Sequence, residues 1–313
     1  MLLLALTVTA VGCQNSFASR SWTPVADSDF DQLLALYDHD LQMEWAEELT
    51  KPEYAGRLSC SPTEDLVGDW LVELLQGFDL QPWREAGFDS YKQAFKVRGT
   101  DDTAENIIAV LPGKISDEYL LIGAHYDHIG EAEDGSYYPG ADDNAVGVAT
   151  VLELARIFSQ SHLTPELNIV FVLFSAEERG LLGSAALAKH LTSQKLHRNV
   201  ALLNLDVIAG IGGETLTIYD NGFKQNTMWS EQALQAAQAG GMEAAIQKRL
   251  IGGVDSMSFS AYNIPAITLV WGDLQAHHPH LHQTTDTYEN LDPELVNGVT
   301  RAIIRIAWTF AMR

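Results

Sequence analysis

Along the first quarter of the chain, apolar positions recur at helical spacing. Residues 27–50 carry Leu33, Leu34, Leu36, Tyr37, Leu41 and Trp45 among acids, which predicts an amphipathic helix ended by Lys51-Pro52. A second helix is predicted over 62–76, with Thr63 near its start and Gly77 just past its end. The pattern then shortens to β-like runs at 91–97, 106–111 and 119–124, the last two separated by a Pro112-Gly113 turn. From there apolar runs at 167–174, 200–206 and 265–271 alternate with helical stretches near 144–160, 181–191, 226–240 and 292–311. This alternation predicts an α/β fold, a single domain built on a mixed, mostly parallel central sheet flanked by helices on both faces. The stripes in 27–50 and 292–311 read as core packing. In such sheets the working groups gather at the carboxyl ends of the strands.

With 313 residues, 46% of them apolar, the chain can bury one sizeable core, and no repeat or linker marks a second domain. Lys and Arg number 19 against 42 Asp and Glu, and the net charge of -23 would repel phosphate backbones and anionic headgroups, so nucleic acid is excluded as a partner. The apolar run from Leu2 to Val11 is far shorter than the roughly 20 residues of a spanning helix and reads as targeting. It ends in Ala10-Val11-Gly12-Cys13, like the lipobox of bacterial lipoproteins, and the rival reading is cleavage after Ser16-Phe17-Ala18. Residues 1–18 are therefore expected to be a signal sequence or lipoprotein signal, and 19–313 one catalytic domain. Two placements follow outside the cytoplasm: a periplasmic or cell-envelope lipoprotein tethered to the membrane through lipidated Cys13, or secretion. Lipidation leaves Cys60 as the single thiol, whereas a retained, unmodified Cys13 allows a Cys13 to Cys60 disulfide.

The candidate chemistry falls where strands end or helices begin. His125 and Asp127 follow the run at 119–124, and their i, i+2 spacing lets the Asp127 carboxylate hold and polarise the imidazole. Asp142 and Asp143 lie in Gly140-Ala141-Asp142-Asp143-Asn144-Ala145, a turn opening a helix, where carboxylates gain from the dipole and can bridge two cations. Glu177 and Glu178 follow the run at 167–174; adjacent carboxylates point differently, so one can bind metal while the other faces substrate. Asp206 ends the run at 200–205, and His282 lies in a His-rich loop before Thr284-Thr285-Asp286-Thr287. Two imidazoles and three carboxylates suit a zinc pair that shares one bridging carboxylate and a water.

These residues, in this order, resemble the co-catalytic di-zinc aminopeptidases related to bacterial leucyl aminopeptidase and glutamate carboxypeptidase II. The likeness covers roughly residues 53–311 through His125-Tyr126-Asp127-His128, Gly140 to Gly147, Ala176-Glu177-Glu178-Arg179-Gly180-Leu181, Leu205-Asp206 and His282-Gln283-Thr284-Thr285-Asp286-Thr287. It implies two zinc ions per chain, bridged by Asp143, with His125 and Asp206 on one and Glu178 and His282 on the other. It makes Glu177 the general base that takes a proton from the shared water and later protonates the leaving amine, and it implies a cis peptide bond between Asp143 and Asn144. The substrates implied are peptides, cut after an N-terminal residue that is expected to be apolar. Cobalt and manganese would also satisfy this ligand set.

One departure is Ser256, in Val254-Asp255-Ser256-Met257-Ser258-Phe259, where many relatives have histidine; substrate positioning there is open. The short stretch before His125 leaves no room for the protease-associated domain that some relatives insert. His128, His277, His278 and His280 read as loop residues or residues that orient a ligand, and Asp286 either orients His282 or caps a turn with Thr284. Three rival functions remain. A glutaminyl cyclase of the same scaffold is opposed by Asp142-Asp143-Asn144, because cyclases usually carry Asp-Ser there. A carboxypeptidase would need a basic pocket for the substrate carboxylate, and a non-catalytic zinc-binding relative would have no use for Glu177.

Overall fold

The computed structural model describes residues 27–248 and 253–313. The lipobox, Cys13 and the alternative cleavage site after Ala18 lie outside the described residues. The predicted 27–50 helix is two helices, α1 (Asp27–Leu34) and α2 (His39–Leu49). The break has a local cause: Asp38 takes extended dihedrals, and its carboxylate accepts the Leu41 N–H at 3.1 Å, capping a new helix. In α3 (Pro62–Gly77) the cap is Ser61, whose Oγ accepts the Glu64 N–H, and Pro62 occupies the first turn.

Among the described residues eight strands form one sheet: β1 (Lys92–Lys96), β2 (Thr103–Leu111), β3 (Ile115–His125), β4 (Leu167–Phe174), β5 (Val200–Leu205), β6 (Leu216–Tyr219), β7 (Ala244–Gln247) and β8 (Ala266–Trp271). Their spatial order is β1-β2-β4-β3-β5-β8-β6-β7. The centre, β4-β3-β5-β8, is parallel throughout; β1 with β2, β2 with β4 and β6 with β8 are antiparallel, and β6 with β7 is parallel. The expected mixed sheet is thus present. Short β6 and β7, four residues each, were not foreseen. Nor was α7 (Asp255–Ala261).

Both faces of the sheet are covered, because the pleat sends alternate residues to opposite sides. Ile169, Phe171 and Leu173 of β4 join Leu120 and Ile122 of β3 under α4 (Val146–Gln160), α6 (Thr227–Ala239) and α8 (Pro293–Ala311). Val170, Val172 and Phe174 face the other way, with Leu121 and Leu202, toward Leu187 and Leu191 of α5 (Leu182–Ser193) and Phe259 of α7. Two-sided burial explains why β4 and β5 read as almost wholly apolar runs with no alternation, broken only by Asn168 and Asn204. Among the described residues no helix is long and apolar enough to cross a membrane.

Candidate functional site

Three adjacent parallel strands deliver the candidate side chains to one end of the sheet. His125 is the last residue of β3, Glu177 and Glu178 follow β4, and Asp206 follows β5. Asp143 arrives from the turn Ala141–Ala145 that leads into α4, and His282 from the loop between β8 and α8. The peptide bond between Asp143 and Asn144 is cis, as the resemblance implied. Gly140 opens this turn at φ +60, and a Cβ there would lie 2.3 Å from the Asp143 carbonyl oxygen and 2.6 Å from the His128 ring.

The two oxygens of Asp143 face different partners. On one side His125 Nε2 lies 3.1 Å from Asp143 Oδ1 and 3.5 Å from Asp206 Oδ1. On the other, His282 Nε2 lies 3.2 Å from Asp143 Oδ2 and 3.3 Å from Glu178 Oε2. All five residues expected as ligands are therefore brought together. The donor atoms of His125, Asp143 and Asp206 fall within 4.8 Å of one another, as do those of His128, Asp143 and Glu178, so the residues present fit a pair of cations. His128, expected as a loop or ligand-orienting residue, is fully buried, with Nδ1 2.7 Å from Glu178 Oε1.

The electrostatics describe carboxylates in excess of their counter-charges. Burial pushes Glu177 well above the usual carboxyl range, the neighbouring Asp255, Asp206 and Asp127 add to it, and His125 opposes it. Burial also raises Asp206. Burial would raise Asp143 and Glu178 too, but imidazoles outweigh it: His125 and His282 draw Asp143 well below its ordinary value, while His128 and His282 hold Glu178 at about 2. Asp143 and Glu178 in turn lift His282 to about 10.

Asp127 differs from expectation. Its carboxylate stands 3.9 Å from His125 Nδ1, and the imidazole instead donates to the Asp127 main-chain carbonyl at 3.1 Å. The chain curls after β3 and presents that carbonyl first, which frees Asp127 Oδ1 to accept the Glu177 N–H at 3.0 Å. Asp127 therefore holds the backbone of Glu177. Asp286 does not reach His282 with its carboxylate; its two oxygens accept the N–H groups of Asp142 (3.0 Å) and Asp143 (3.1 Å). His278 donates to Asp142, and Asp142 accepts the Ala209 N–H, so the carboxylate beside Asp143 is structural. Ser256 is buried with Thr268 Oγ1 at 2.6 Å and Asn221 Nδ2 at 2.9 Å, away from the cavity wall. Among the described residues Cys60 has no disulfide partner, and the Cys13 to Cys60 pairing falls outside them.

The Glu177 turn is held from behind. Ala176 sits at φ +56, and the preceding Ser175 is gripped at both ends: Asn106 Oδ1 accepts its N–H at 3.0 Å and Glu64 Oε1 accepts its hydroxyl. Glu64 Oε2 also takes the Cys60 N–H. Burial raises the Glu64 carboxyl to about 7, against lowering by those two donors. A raised folded-state pKa means the folded chain keeps this proton longer than the unfolded chain does. Its stabilisation is full below the unfolded value of 4.5 and is lost as pH rises through about 7. Relative to Glu64→Gln, the wild type should thus lose on the order of 3 kcal/mol between those limits, read from urea midpoints at each pH. Parallel stability curves for the two proteins would refute the assignment.

The six groups His125, Asp143, Glu177, Glu178, Asp206 and His282 line a cavity of about 280 Å³. Its remaining wall is apolar, from Leu181, Val207, Val254, Leu274 and Leu281. Residues 106–307 match the model of peptidase family M28. The chain is 28% identical over 201 residues to aminopeptidase YwaD of Bacillus subtilis, a match taking in 62% of this chain and 42% of that one, so it spans under half of that relative's length. The fold is that of Legionella pneumophila LapA aminopeptidase, with a TM-score of 0.78 at 21% identity over 94% of this chain and 78% of that one. It is also shared with Porphyromonas gingivalis glutaminyl cyclase, with a TM-score of 0.70 at 20% identity over 87% and 98% of the two chains.

Proposed function

The chain belongs to peptidase family M28, and from that premise we propose that it is a zinc-dependent aminopeptidase releasing apolar N-terminal residues from peptides. The observation that carries the reading is the two-sided Asp143, each oxygen facing its own imidazole and carboxylate, with Glu177 alongside in the same cavity. His125, Asp143 and Asp206 would hold one zinc ion, and Asp143, Glu178 and His282 the other. Two such cations supply Lewis acidity toward a peptide carbonyl and toward water.

What the chain itself does follows from position and charge. Glu177, with its backbone fixed by Asp127, is placed to take a proton from water and return it to the leaving amine. Buried carboxyls of Asp206 and Asp255 around Glu177 favour a substrate that brings a positive charge, as a free N-terminus does. The apolar wall of Leu181, Val207, Val254, Leu274 and Leu281 favours an apolar first side chain. The shared fold leaves the cyclase reading to experiment.

A panel of aminoacyl p-nitroanilides, with and without chelator, tests the proposal. Release is expected from apolar substrates, lost with chelator, restored by zinc and absent when the substrate amine is acetylated. Absence of release from every substrate, together with cyclisation of N-terminal glutamine, would replace the proposal with the cyclase. The short apolar run Leu2 to Val11 and the lipobox-like order ending at Cys13 support placing this activity outside the cytoplasm.

A further inference from the structure

Arg57 is 1% exposed and carries a guanidinium in the protein interior. All four of its hydrogen bonds go to main-chain carbonyls: Nε to Tyr126 at 2.9 Å, Nη1 to Leu49 and Pro139 at 2.6 Å each, and Nη2 to Gly140 at 3.1 Å. Its own carbonyl accepts the His128 N–H at 3.0 Å, and its backbone lies at φ +49 beside Gly56. A buried cation is costly, and carbonyl dipoles repay only part of that cost. Its charge is balanced at longer range by Asp143, Asp286, Asp127 and Glu178. Burial lowers its pKa only to about 10, so it stays charged at neutral pH.

The partners of this one side chain have a pattern. Tyr126 lies between His125 and Asp127; Pro139 and Gly140 lead into Asp142 and Asp143; Leu49 ends α2. A planar fork with donors on three nitrogens can pin all these segments at once, which a single ammonium cannot do. We propose that Arg57 is a positioning residue for the metal site, joining the segment that delivers His125 to the segment that delivers Asp143 and offsetting the crowd of carboxylates behind them. This rests on the metal-binding reading above.

The test is zinc affinity of the full chain, measured by competition with a chromophoric chelator, for wild type, Arg57→Met and Arg57→Lys, with circular dichroism as the control of folding. Arg57→Met is expected to weaken zinc binding by about 10- to 100-fold, and Arg57→Lys, which restores charge without the fork, to recover only part of that loss. A merely structural arginine would lower the melting temperatures of the zinc-free and zinc-loaded forms equally and leave the dissociation constant unchanged; that result in either folded variant overturns the proposal. Where the methionine variant does not fold, the lysine variant decides, since a dissociation constant equal to wild type sinks the fork. Failure of the wild type itself to take up zinc would instead overturn the metal reading, and this proposal with it.

Discussion

Glu177→Gln is expected to retain its zinc and to lose roughly three or more orders of magnitude in turnover. The substitution keeps the shape of the side chain and its Asp127-anchored backbone, and removes only the ability to accept a proton. Because Glu177 is not among the donor atoms that cluster around Asp143, metal content by atomic emission should match the wild type. KM should move little beside kcat, since the apolar wall proposed to receive the first side chain is untouched. Turnover within a few-fold of wild type would remove Glu177 from the mechanism.

Asp143→Ala should have the other large effect, on the metal itself. If each Asp143 oxygen serves a separate ion, its loss empties both places, and zinc per chain should fall from about two equivalents toward none. His282→Ala touches only the side shared with Glu178, so it should lose about one equivalent and keep the other on His125 and Asp206. The contrast between the two variants separates a bridging carboxylate from an ordinary one. Equal zinc losses in both would refute the bridge, and so would an Asp143→Ala protein that still binds a full complement.

The meeting of His125, Asp143, Glu178 and Asp206 was legible because each sits at a boundary the sequence announces, a strand running out or a Gly-flanked turn opening a helix, whereas His282, in the long loop before α8, was legible through the motif around it. Two-sided strands such as β4 were legible because six successive apolar residues, Ile169 to Phe174, leave little else to read. What escaped depended on partners distant in sequence. Nothing near Asp127 says that its carboxylate will turn to the Glu177 amide fifty residues on, or that its carbonyl will take His125. His128 could have been suspected from its place three residues after His125, yet its contact with Glu178 is set by the pairing of β3 with β4. Arg57 gave no local sign at all, since its partners are carbonyls, which every residue has. The break at Asp38 was missed because an acid within an amphipathic stripe looks like solvent-facing charge until its capping bond is seen.

The five side chains gathered here are unequally shielded: His282 is 51% exposed, whereas those of His125, Asp143, Asp206 and Glu178 lie between 1% and 12%. On the di-zinc reading the His282 side would meet solvent first, and an ion there would exchange faster than its companion beside His125. Leu281, next to His282, also lines the cavity that a peptide would enter. A seated peptide would then slow the exchange of metal on that side.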